Sequence, residues 1–199
     1  MIAGRVGWVW RMKLGKRSDY ERKPRDYYPT PLAAVKPLVP HLPASFTFCE
    51  PCAGDARLID HIEELHDDAS CITAFDIEPQ SGDVDELDAL ELAEEHVHGC
   101  DYIITNPPWE RSKKSGYLLH AMIEHFSNLR PTWLLFDADW MHTEQSAELV
   151  KTRLVKIVSI GRVKWIEDSA GTGKDNCCWY LFDKNKHGET EFHGRSKQK

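Results

Sequence analysis

Asn106-Pro107-Pro108-Trp109 is the stretch of this 199-residue chain best suited to chemistry, because it follows the apolar run Tyr102-Ile103-Ile104-Thr105 and stands where a buried strand meets a loop. Two prolines stiffen that loop and remove two backbone donors, which lets the Asn106 side-chain oxygen and the Pro107 carbonyl point outward as acceptors. A pair of acceptors beside an aromatic plate suits a planar amine such as the exocyclic NH2 of a nucleobase. Hydrogen bonds to two fixed acceptors localise the nitrogen lone pair, and stacking on Trp109 holds the ring in line with an electrophile. Taken alone, the same four residues also make a rigid loop whose Trp packs on the core.

Other segments supply the company that this loop needs. Phe46-Thr47-Phe48-Cys49 is a short apolar strand that runs into Glu50-Pro51-Cys52-Ala53-Gly54-Asp55, a tight turn of small residues. Leu58, Ile59, Ile62 and Leu65 then share one face at a period near 3.6, which predicts a helix. Strand, tight turn and helix in that order bind nucleotide-like ligands at the carboxyl ends of parallel strands. Gly54 admits close approach of a ligand, while Glu50 and Asp55 place negative charge at the same edge. That sign disfavours a phosphate and favours a cationic ligand. A second unit, Cys71-Ile72-Thr73-Ala74-Phe75, ends in Asp76-Ile77-Glu78, where an acid at the strand tip is placed to accept from two ribose hydroxyls. Asp88-Ala89-Leu90 offers a third acidic tip, able to accept from an adenine amine.

With these residues in order, the chain resembles the class I S-adenosylmethionine-dependent methyltransferases, and among them the DNA adenine-N6 group that includes small phage-type enzymes. Tyr27-Tyr28-Pro29-Thr30-Pro31 resembles that family's amino-terminal cofactor motif, and the resemblance implies that Thr30 meets the methionine carboxylate, with Tyr28 beside it. Glu50, Cys52, Ala53, Gly54 and Asp55 match its glycine-containing cofactor motif. Asp76 and Ile77 match the ribose-binding acid and its neighbour, and Asp88 and Ala89 the adenine-binding segment. Asn106, Pro107, Pro108 and Trp109 match the catalytic loop. Many relatives carry a second glycine where this chain has Ala56. The resemblance implies a Rossmann-like α/β fold: a seven-stranded, mainly parallel sheet with an antiparallel last strand and helices on both faces. S-adenosylmethionine is the implied cofactor and S-adenosylhomocysteine its product.

The remaining chain keeps the alternation that such a sheet requires. Leu118, Leu119, Met122, Phe126 and Leu129 form a helical stripe, residues 132–136 read as a strand, and Ala147, Val150 and Leu154 mark another helix. Strand patterns follow at 156–160, 162–166 and 178–182, with residues 167–176 joining the last two as a hairpin. Trp165 resembles the aromatic position that walls a flipped base on its other side. Residues 1–26 read as a basic arm and 27–199 as one catalytic domain without a separate target-recognition domain, which predicts short or relaxed sequence recognition.

Composition sets limits on the alternatives. No apolar run reaches the roughly 18 residues of a membrane span, and no signal-peptide pattern opens the chain, so the expected location is the cytoplasm of a bacterial or phage-infected cell. Cys49 and Cys52 have Cys-x-x-Cys spacing, but a metal site needs a second ligand pair and six cysteines in a chain of this kind make no disulfide framework, so neither is expected. Ala170-Gly171-Thr172-Gly173-Lys174 lacks the first glycine and the hydroxyl residue of a phosphate loop. The net charge of −7 is unfavourable for a DNA enzyme, yet basic residues gather in the arm, at Arg111, Lys113 and Lys114 after the catalytic loop, and in the tail from Arg195. Acids collect between 60 and 95, on segments read as helices away from the active edge. The expected partner is DNA, with a homodimer or partner subunit as a further source of target recognition. An RNA adenine methyltransferase, a protein-glutamine methyltransferase and a non-catalytic nucleic-acid-binding subunit are the competing readings.

Overall fold

The computed structural model describes residues 27–109, 118–166 and 171–195. Eight strands form one sheet: β1 (Phe46–Glu50), β2 (Ala69–Asp76), β3 (Asp85–Glu86), β4 (Tyr102–Thr105), β5 (Thr132–Asp137), β6 (Leu154–Arg162), β7 (Asn176–Phe182) and β8 (Glu191–His193). Their spatial order is β3-β2-β1-β4-β5-β7-β6-β8. β7 runs antiparallel to both β5 and β6, and all other pairings are parallel. The expected plan of seven strands is therefore present, with β8 added at the far edge. The order reverses between β1 and β4, and the crevice at such a reversal is where doubly wound sheets bind ligands.

Side-chain alternation divides the core into two layers, one on each face of the sheet. On β5, Trp133 and Leu135 join the layer that holds Phe48, Leu58, Ile62 and Trp179, whereas Leu134 and Phe136 join the layer of Met122, Phe126, Tyr180 and Phe182. Adjacent Cys177 and Cys178 fall on opposite faces for the same reason. Helices cover each layer: α1 (Leu32–Val35) and α2 (Arg57–Leu65) on one side, α3 (Leu118–Leu129) and α4 (Ala147–Thr152) on the other. The Trp179 indole N–H donates to the Ala34 carbonyl at 2.8 Å, which ties α1 to the sheet and fixes the segment that carries Thr30.

Three elements differ from the sequence reading. The pattern at 156–160 belongs to β6, which continues through a bulge where Gly161 takes φ +79° and ends at Arg162, so the pattern at 162–166 forms no strand of its own. A left-handed glycine lets the strand bend without ending it, which an alternation count reads as a break. Leu154 opens β6 rather than closing α4, whose buried residue is Leu149. The acid-rich stretch 83–95 is not helical beyond single turns; it carries β3 and the 3-10 turn Ala89–Glu91, and part of it reaches the ligand crevice. Among the described residues, no helix is long and apolar enough to cross a membrane, and no group of three His, Cys, Asp or Glu could hold a metal.

Candidate functional site

A cavity of about 480 Å³ opens at the carboxyl ends of β1, β2 and β4, within the size range of small-molecule sites. It brings together Tyr28, Thr30, Glu50, Cys52, Ala53, Gly54, Asp55, Asp76, Ile77, Asp88, Ala89, Asn106 and Pro108, which the sequence had placed in five separate motifs.

The turn after β1 is shaped by two left-handed residues, Gly54 at φ +54° and Ala56 at φ +65°. A Cβ on Gly54 would stand 2.7 Å from Tyr27 Cε2, so the glycine is needed for contact as well as for conformation. Gly54 N–H donates to Asp76 Oδ2 at 2.9 Å and Glu78 N–H to Asp76 Oδ1 at 2.8 Å. These bonds lock the Asp76 carboxyl while each oxygen keeps a lone pair for a ligand. Asp88 Oδ1 accepts from Leu90 N–H at 2.9 Å, which caps the following turn and leaves its second oxygen for a donor.

Glu50 is 1% exposed, and its Oε2 has no hydrogen-bond partner among the described residues. Burial, with Asp76, Asp55 and Asp60 nearby, pushes its carboxyl well above the usual range. An orphaned acid in a cavity wall fits a cationic guest. The wall is otherwise apolar near Asp88: Ile77 and Leu90 are 51% and 39% exposed, unusual for large aliphatics and suited to an aromatic ring between them. Leu118 and Met122, one turn apart on α3, line the same space. The sequence showed both only as part of a helical stripe, which continues into the core. Leu90 was missed as well, although its place two residues after Asp88 at the end of a polar run was a usable signal. Burial pushes the Cys52 thiol up, so it presents a small neutral wall.

Asn106 is fixed by its donors. Its Nδ2 lies 3.2 Å from the Tyr28 carbonyl and 3.2 Å from Thr30 Oγ1. A carbonyl can only accept, so the amide nitrogen must face Tyr28 and Oδ1 is turned the other way. Neither Asn106 Oδ1 nor the Pro107 carbonyl has a hydrogen-bond donor among the described residues. The Trp109 indole N–H donates to the Leu135 carbonyl at 3.1 Å, which pins the ring at the end of β5. Trp165 meets Trp109 edge to face, with centroids 5.6 Å apart and planes at 86°. That is direct contact for an aromatic pair, so the two rings brace each other and leave no slot for a third between them. Arg111, Lys113, Lys114 and the basic arm 1–26 lie outside the described residues.

Solved structures share this architecture. The chain superposes on a Listeria monocytogenes protein assigned to the class I S-adenosylmethionine-dependent methyltransferases with a TM-score of 0.53, 11% identity and 83% of the chain covered. The fold is that of the class I methyltransferases. A modification subunit assigned to a type I restriction enzyme of Vibrio vulnificus gives a TM-score of 0.53 at 13% identity over 84% of the chain. The E. cuniculi Mtq2–Trm112 complex, responsible for methylating a translation termination factor, gives 0.52 at 13% identity over 83%. The chain spans 63% of the Listeria protein, 47% of the Vibrio subunit and 98% of the E. cuniculi chain. No protein-family model matches the sequence, and no curated protein does. The likeness lies in the fold.

Proposed function

We propose that the protein transfers a methyl group from S-adenosylmethionine to the exocyclic N6 amine of adenine in DNA, with short or relaxed sequence recognition. The observation that carries this reading is the fixed amide of Asn106, whose nitrogen is spent on Tyr28 and Thr30 so that its oxygen is left to accept from a guest at the cavity; Pro107 itself is buried, and its carbonyl enters as the second acceptor of the proposal.

The cavity residues fit the cofactor by charge and shape. Glu50 is placed for an ammonium group, Thr30 Oγ1 for a carboxylate, Asp76 for ribose hydroxyls and Asp88 for an adenine amine, with Ile77 and Leu90 against the ring. When bound, S-adenosylmethionine supplies the methyl carbon and takes the carbon–sulfur electron pair, leaving as S-adenosylhomocysteine. The chain's own part is positioning. Asn106 Oδ1 and the Pro107 carbonyl accept both amine hydrogens and direct the nitrogen lone pair toward the cavity, while Trp109 carries the ring on its face. As the N–C bond forms, the surplus proton leaves the nitrogen to water. No nucleophilic side chain is required.

Extrusion of the base from its stack is part of the proposal, since the acceptors lie at the sheet edge and a stacked base cannot reach them. The decisive experiment offers duplex DNA, single-stranded DNA, RNA and a glutamine peptide side by side with tritiated cofactor, followed by mass spectrometry of the products. N6-methyladenine from DNA, lost in Asn106→Ala, is the expected result. Labelled RNA or peptide alone assigns a different substrate, and absent cofactor binding reduces the chain to a non-catalytic subunit.

A further inference from the structure

We infer that Arg162, Lys164 and Arg195 form a phosphate-binding rim that holds the nucleic-acid strand about four to six nucleotides from the target base. The inference rests on the methyltransferase reading above and adds the surface that carries the substrate.

Topology delivers the three cations to one edge. β6 and β8 run parallel to β5, and β5 parallel to β4, so residues that follow β6 and β8 emerge beside the loop that follows β4. From the last rung of β6 onward the chain stays alternating: Val163 is buried and Trp165 packs on Trp109, while Arg162 and Lys164 are exposed. The same segment therefore braces the proposed base platform with one face and presents two cations to solvent with the other. Arg195 reaches this place from β8. It lies across Gly161, where a Cβ would stand 3.1 Å from a guanidinium nitrogen, so a glycine there leaves room for the crossing. None of the three cations has an ion-pair partner among the described residues. That distinguishes them from Lys156, which is held by Glu191 at 3.3 Å.

The charge is also polarised. Residues 83–95 contain seven acids and no Lys or Arg, and β3 within them occupies the opposite edge of the sheet. A polyanion is repelled from that end, beyond the cofactor crevice, and drawn toward β6 and β8. Strands about 4.8 Å apart put β6 three places and β8 four places from β4, or about 14–19 Å from Asn106. At about 3.4 Å of rise per nucleotide this is four to six steps along a strand.

The test measures binding of a fluorescein-labelled 20-base-pair duplex containing adenines by anisotropy across a salt series. Each lost phosphate contact lowers the slope of log affinity against log salt by about 0.9 on duplex and about 0.7 on single strands. The triple variant Arg162→Gln/Lys164→Gln/Arg195→Gln is expected to lower it by about 2.7 on duplex. Cofactor affinity by calorimetry should stay at the wild-type value. Lys151→Gln, on α4 at the amino end of β6 and so at the other end of that strand from Arg162, is expected to leave the slope unchanged. An unchanged slope in the triple variant of an active enzyme overturns the rim alone. A wild-type protein that neither binds nor methylates any nucleic acid overturns the functional reading first. A slope that falls equally with Lys151→Gln shows a net-charge effect and also removes the rim.

Discussion

Thr30 and Asn106, 76 positions apart in sequence, are joined by a 3.2 Å hydrogen bond from the amide nitrogen to the hydroxyl oxygen. Thr30 accepts from Asn106 and keeps its own hydrogen to donate into the cavity, so one hydroxyl serves the cofactor wall and the proposed amine clamp together. Thr30→Val is expected to weaken cofactor binding and to lower turnover by about two- to tenfold, the range of one net hydrogen bond. Thr30→Ser should restore both. Asn106→Asp keeps an acceptor but has nothing to donate to the Tyr28 carbonyl, and a loss of at least about hundredfold in kcat is expected. Steady-state kinetics of the three variants decide the matter; a fully active Asn106→Asp enzyme sinks the clamp.

Glu50 trades stability for binding. Its raised folded-state value means that, as pH climbs from the ordinary glutamate range near about 4.3, the folded chain holds a proton that the unfolded chain has released. Stability conferred by this group therefore falls as pH rises through that window. In melts without cofactor, Glu50→Gln should raise the melting temperature at pH 8 more than at pH 5, at about 2–4 °C per kcal/mol gained. The same variant should bind S-adenosylmethionine about ten- to hundredfold more weakly, having lost a charged partner. A variant that loses stability while keeping affinity would mark Glu50 as a structural residue.

The turn after β1 permits a paired test with opposite signs. Ala56 holds φ +65°, a conformation that costs a non-glycine residue about 1–2 kcal/mol, partly offset in a glycine variant by its freer unfolded chain. Ala56→Gly is expected to stabilise by up to about 1 kcal/mol. Gly54→Ala adds both the left-handed strain and a Cβ 2.7 Å from Tyr27 Cε2, so it should lower stability and cofactor affinity together. Chemical denaturation and calorimetry on both proteins give the signs.

These pairings mark the limit of what the sequence could show. β1, β2, β4 and β5 were legible because each is an apolar run bounded by turn residues, and the acids at their tips follow from strand polarity. β3 and β8 were not, since two and three residues carry no period. Leu118 and Met122 looked like core because the stripe of α3 serves the core for most of its length and the cavity only in its first turns. The bond between Asn106 and Thr30 links segments whose proximity depends on Trp179 anchoring α1, a contact 145 positions long. No local pattern encodes it.

Trp109 separates platform from scaffold. Its indole N–H is committed to the Leu135 carbonyl and its ring meets Trp165 edge to face, so in the proposed reading a base stacks on what these contacts leave of the ring. Trp109→Phe keeps an aromatic face but releases the anchor, and Trp109→Leu removes the face itself. Stacking of one base contributes about 1–3 kcal/mol, which sets an expected loss of about five- to hundredfold in kcat for Trp109→Leu. Trp109→Phe should lie between that variant and wild type. Cofactor affinity should survive in both, because Trp109 does not line the cavity. A duplex with 2-aminopurine at the target position gives the independent readout: its fluorescence rises when the base leaves the stack, and the rise should shrink in the order wild type, Phe, Leu. If Trp109→Leu extrudes and methylates the base as well as wild type does, the ring is packing for β5 and nothing more.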